Sequence, residues 1–138
     1  MGLFDKLKGN KPVELTPKSA LALSAITLIA ADGVLDETEL MDLAKIVRGD
    51  RKAVDTALQV LRSSSLPEAI SLVNNCLNEK QKTVTIAVLA DLAMADGTLA
   101  GEEQKILQMY VEKFNISEDT LKPIIDSIAI KNDFSIFS

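Results

Sequence analysis

A chain of 138 residues, with 15 Lys plus Arg, 20 Asp plus Glu and 47% hydrophobic residues, is the length of one domain built around a single core. Its formal charge of −5 argues against nucleic acid as a partner, because phosphate binding relies on clustered Lys and Arg that release counterions. Having no His excludes Ser-His and Cys-His nucleophile pairs and imidazole metal ligands; a single Cys excludes an internal disulfide or a thiolate zinc site and fits a reducing cytoplasm.

The two most apolar runs, residues 20–31 and 84–95, are each about 12 residues long and carry Ser24, Thr27 and Asp91. A spanning helix needs about 20 apolar residues, so both runs read as buried core helices and no transmembrane segment is expected. Lys6, Lys8 and Lys11 are not followed by the apolar region of a secretory signal, and Lys6 stands where a myristoylation motif wants Ser or Thr. Leu3, Phe4 and Leu7 make a short amphipathic stripe, expected to be mobile and to dock on a partner if it docks at all.

Helix punctuation then sets the elements in order. Thr16-Pro17 is an N-cap followed by Pro at the first helical position, opening a helix to about Ala31 that Asp32-Gly33 ends. Asp36 with Glu39 has a capping-box spacing and opens a second helix, stopped near Gly49. Asp50 caps a third through roughly Arg62, with Val54, Leu58 and Leu61 on its buried face. Ser65 with Glu68 boxes a fourth, to about Leu77, and Asn78 caps a fifth that runs to Ala95 before Asp96-Gly97. A sixth spans about Glu102 to Phe114 on an Ile106, Leu107, Tyr110 and Val111 stripe. Pro123 falls too late for a first turn after Ser117, so a short turn and then a helix from Pro123 to about Ile130 are expected. The fold class is therefore all-α, a bundle of about seven helices, with a tail at 1–15, one domain at 16–131 and a tail at 132–138.

An internal repeat organises this bundle. Asp32-Gly33-Val34-Leu35 followed by Glu39 recurs 64 residues later as Asp96-Gly97-Thr98-Leu99 followed by Glu103, and Leu28, Ala31, Leu43 and Val47 match Leu92, Ala95, Leu107 and Val111 at the same offset. Four fixed identities coincide by chance on the order of once in 10⁴ trials. A duplicated helix-turn-helix predicts that helices 17–31 and 79–95 are equivalent central elements, with Leu21, Ile26, Leu28, Ile29, Val88, Leu89 and Leu92 in one core.

The repeated pattern also matches the second half of a calcium EF-hand loop, but Leu28, Ala30, Leu92 and Met94 fill the first ligand positions, so an ordinary EF-hand is rejected. Residues 32–42 hold five acids and residues 91–103 hold four, with no Lys or Arg in either stretch. Asp36, Glu37 and Glu39 are explained by capping and by acid in a helix's first turn. Asp32 and Asp96 sit where the helix dipole disfavours an anion, so each needs a turn hydrogen bond or a cation in compensation. Carboxylate-only donors suit hard cations, and the candidate metal ligands are Asp32, Asp36 and Glu39 in the first copy and Asp96 and Glu103 in the second, for Ca²⁺, Mg²⁺ or Mn²⁺. Asp91 either lines a pocket or points to the bundle's rim, and Cys76, among Leu72, Val73 and Leu77, reads as an inert buried thiol.

Ala31-Asp32-Gly33 with Asp36, Glu37 and Glu39, Ala95-Asp96-Gly97 with Glu102 and Glu103, and the opening Leu3-Phe4-Asp5-Lys6 resemble the tellurite-resistance TerB family, related to the N-terminal domain of the DjlA co-chaperone. The likeness covers about Pro17 to Ile130. It implies an all-helical, bacterial, cytoplasmic module tied to metal-ion or chemical stress, with membrane-associated protein partners and acidic residues that bind divalent cations. The second copy departs by having Ala100 and Gly101 opposite Asp36 and Glu37. Two functions follow as expectations: a non-enzymatic module that binds a cation and a protein partner, or a metal-independent interaction adaptor.

Overall fold

In the computed structural model the described residues are 14–32, 37–95 and 101–138, with Asp32 described by its backbone alone. Seven α-helices follow one another among them: α1 (Pro17–Ile29), α2 (Glu37–Ile46), α3 (Arg51–Ser63), α4 (Leu66–Cys76), α5 (Glu79–Ala93), α6 (Gly101–Phe114) and α7 (Glu118–Asn132). Short 3₁₀ turns cover Ala30–Asp32 and Ser135–Phe137, and no strand forms among the described residues. The all-α expectation holds. No helix among the described residues is long and apolar enough to cross a membrane. The expectations for residues 1–11, for Asp36 as a cap and for Gly33 and Gly97 as helix terminators lie outside the described residues.

Local hydrogen bonding starts the helices where the sequence places the caps. Thr16 Oγ1 accepts from the Ser19 N–H at 3.2 Å while Ser19 Oγ accepts from the Thr16 N–H at 2.7 Å, and Pro17 sits in the first turn. Ser65 and Glu68, and Asn78 and Gln81, form the same reciprocal boxes on α4 and α5. Asp50 Oδ1 accepts from the Ala53 N–H at 3.1 Å on α3; Ser117, expected to open only a short turn, instead caps α7 through the Thr120 N–H at 3.3 Å. Each box satisfies N–H groups that a helix start otherwise leaves unpaired.

At the other end of α2 the chain turns through a left-handed residue that is not glycine. The Gly49 N–H donates to the Ala44 carbonyl at 2.8 Å and the Arg48 N–H to the Lys45 carbonyl at 3.1 Å, a Schellman closure with Arg48 at φ 58°. The end of α6 repeats this with Asn115 at φ 56°, a residue that tolerates the conformation better. Arg48 is exposed, so relief of its backbone strain is separable from packing. Arg48→Gly is expected to stabilise the fold by about 0.5–1 kcal/mol in denaturant melts, and an unchanged or lower midpoint would show that the Arg48 side chain makes up for its strained φ.

Packing places α1 at the centre. Residues Ala20, Ala22, Leu23, Ala25, Ile26 and Leu28 of α1 have no exposed surface, and α1 contacts α2, α3, α4, α5 and α6. Its most extensive partner is α3, whose buried residues are Ala53, Ala57 and Val60 rather than the expected Val54, Leu58 and Leu61, which are half-buried at the edge of the core. Alanines on both helices let the two backbones approach, which rotates the contact face by one residue from the larger side chains. The expectation of two equivalent central helices is met by α1 alone. α5 buries one face, through Thr85, Ile86, Leu89, Ala90 and Ala93, and leaves Val84 52% exposed. Of the predicted core, Ile26, Leu28 and Leu89 are fully buried, whereas Leu21, Ile29, Val88 and Leu92 are half-buried.

The last helix differs most from expectation. α7 starts at Glu118, not at Pro123, and Pro123 lies inside it. A proline there removes one hydrogen bond, to the Asp119 carbonyl, and strains the turn beside it. Against that, the Ser117 cap holds the first turn, and Leu121, Ile124 and Ile125 pack against the core beside buried Ile128. Burial of Ile128 and partial burial of the other three, on a scale of about 1.5–3 kcal/mol for a fully buried side chain, outweigh a single lost backbone bond.

Candidate acidic site

The closing glutamates of the two motif copies, Glu39 and Glu103, line one cavity. A cavity of about 210 Å³ is lined by Ile29 at the end of α1, Leu92 near the end of α5, Glu39 and Asp42 on α2, and Glu103 on α6. Glu39 and Glu103, 64 residues apart and equivalent in the repeat, therefore share one cavity wall. The C-terminal ends of two helices and the first turns of two others converge on the same space, so acids sit where N-terminal helix dipoles favour them while carbonyl-rich helix ends face the same region. Both glutamates are half-buried and already engaged in interactions.

Sequence reasoning counted Asp42 among the acids without naming it a ligand; its place three residues after Glu39 puts it on the same face of α2, and that spacing was the available signal. The apolar walls, Ile29 and Leu92, were expected in the core and instead border the cavity. Among the described residues no group of three or more Asp, Glu or Cys side chains is gathered closely enough to hold a metal ion. Of the predicted ligands, Asp36, Asp96 and the side chain of Asp32 lie outside the described residues, so the described acids are Glu39 and Glu103.

The remaining chemistry-bearing residues have structural partners elsewhere. Asp91 points to the rim, where Lys131 Nζ donates to it at 3.0 Å and Asn132 Nδ2 at 3.1 Å, tying the end of α7 to α5. Partial burial pushes the Asp91 carboxyl up, but the hydrogen bonds from Asn132 and Lys131 and the Lys131 charge together hold it below the usual carboxylate value. Cys76 Sγ donates to the Leu15 carbonyl at 3.3 Å, and desolvation raises the thiol above its ordinary value, away from the thiolate needed for reaction.

A family profile described as Tellurite resistance protein TerB matches residues 18–124. No curated protein and no solved structure matches the chain. The matched span runs from the first turn of α1 into α7 and so contains both copies of the repeat and the cavity between them, on an all-helical fold. The chain belongs to the TerB family.

Proposed function

We propose that this chain is a non-enzymatic TerB module that binds one hard divalent cation, Ca²⁺, Mg²⁺ or Mn²⁺, at a site shared by its two repeats, and that the loaded module engages a protein partner in the tellurite, metal or chemical stress response. The supporting observation is the convergence of Glu39 and Glu103 on one cavity. Asp32, Asp36 and Asp96 would complete an oxygen-only donor set of the kind such cations take. Carboxylates without a nucleophile or a phosphate cradle favour binding over catalysis. A bacterial cytoplasmic setting, peripheral to the membrane through the partner, accompanies this reading.

Calorimetry is expected to give about one cation per chain with a Kd in the range of about 10⁻⁵ to 10⁻³ M. Thermal melts at a cation concentration ten times Kd should gain about 1.4 kcal/mol over an equal-ionic-strength control. Glu39→Gln with Glu103→Gln, and separately Asp32→Asn with Asp96→Asn, should each abolish the gain. A wild-type chain that shows no cation-specific gain, or variants that keep it, would reduce these acids to caps and turn residues. The metal-independent adaptor reading would then take over, and one observation favours it: Ile130, Phe134, Ile136 and Phe137 are each at least 68% exposed.

A further inference from the structure

A groove of about 550 Å³ opens where the first turns of α1 and α5 lie side by side. Pro17, Leu21, Leu77 and Val84 give it an apolar floor, and Lys18 and Lys80 stand at its rim. Lys18 is 3.7 Å from Asp50, and Lys80 has no ion-pair partner among the described residues. In a chain of net charge −5, an apolar groove with a basic rim selects an apolar segment that carries an acid.

The chain itself presents such a segment. After α7, Asp133 and Phe134 lead into the 3₁₀ turn at Ser135–Phe137, and Phe134, Ile136 and Phe137 are 68%, 77% and 78% exposed. Asp133 accepts from the Ser135 N–H at 3.0 Å, which stabilises that turn, and residues 132–138 hold no Lys or Arg. The segment 1–11 is the other apolar candidate, but Lys6, Lys8 and Lys11 give it the same charge sign as the groove's rim.

We propose that the groove between α1 and α5 receives the 133–137 segment of a second copy of this chain. The contact runs between two copies because the segment is anchored at the other end of α5, where Lys131 and Asn132 hold Asp91. Asp91 lies eleven residues beyond Lys80, roughly 16 Å along the helix, and the segment would have to unwind its turn and reverse direction to enter its own groove. Groove and segment are different surfaces, so the association is head-to-tail and extends beyond a dimer. It buries little area and is weak, with a Kd on the order of 10⁻⁵ to 10⁻⁴ M. It needs no cation and stands apart from the acidic cavity.

Sedimentation velocity on the full chain, in chelator, from about ten micromolar to about one millimolar, reads the proposal directly. The wild type should shift from monomer to species larger than a dimer, and less so at high salt. Phe134→Ser with Phe137→Ser removes the segment's anchors, and Val84→Glu places an acid in the groove; all three positions are exposed, and unchanged circular dichroism melts confirm folding. Each variant alone should remain monomeric. Mixed together they should form a dimer and nothing larger, since one keeps an intact groove and the other an intact segment. A wild type that stays monomeric throughout overturns the proposal, as does association that survives either variant. A mixture that fails to dimerise also overturns it, because that result marks a symmetric pairing or a segment folded into its own groove.

Discussion

Leu28→Ala is expected to destabilise the domain by about 3–5 kcal/mol, whereas Leu92→Ala, at the matching position of the second repeat, should cost about 1–2 kcal/mol. Leu28 is fully buried in the helix that touches five others, so truncation there leaves a cavity that the surroundings cannot close. Leu92 is half-buried and borders the acidic cavity, where solvent and side chains can fill the space. For a domain of this size the first change lowers Tm by roughly 10–20 °C and the second by a few degrees. Thermal and urea melts followed by circular dichroism measure both. Equal losses would mean that α1 and α5 are equivalent in energy as well as in sequence.

Tyr110→Phe is expected to cost about 1–1.5 kcal/mol at neutral pH and to become the more stable form above about pH 11. Tyr110 is fully buried on α6, packed edge-on against Phe114 with ring centroids 5.6 Å apart. Thr27 Oγ1 gives its proton to the Ser24 carbonyl at 2.7 Å, so the hydroxyl of Tyr110 donates to Thr27 Oγ1, also at 2.7 Å. Burial pushes the phenol well above its ordinary value. The unfolded chain then releases this proton near pH 10 while the folded chain keeps it, so the folded state binds more protons and stability falls as pH rises. The slope approaches about 1.4 kcal/mol per pH unit, which offsets the neutral-pH advantage near pH 11. Lysine titration is common to both proteins and cancels in their difference. Urea melts from pH 7 to 11.5 test this, and a difference that does not change with pH would show that the phenol ionises as readily in the fold as out of it.

Much of the chain's local order was legible in its sequence because the interactions that encode it span three or four residues. Thr16, Asp50, Ser65 and Asn78 each cap a helix by bonding an N–H three positions on, as read, and that geometry depends on nothing distant. The 64-residue repeat likewise marked Glu39 and Glu103 as a pair before any coordinates placed them.

What the sequence left open was decided by which surfaces meet. Periodicity showed that α1 and α5 are both apolar but not that α3 and α4 would cover one and leave Val84 of the other in solvent, since burial belongs to a pair of elements and not to one. The same holds for the face of α3, where the close approach to α1 selected Ala53 and Ala57 over the larger Val54 and Leu58. At Pro123 a sound local rule lost to the packing of Leu121, Ile124, Ile125 and Ile128 against a core built by residues distant in the chain. Glu39 and Glu103, read as parts of two sites, line one cavity because packing brought the ends of α1 and α5 together. Composition, caps and repeat determined most of the helices; the distances between residues remote in the chain, which only the packed fold sets, determined the core, the groove and the acidic cavity.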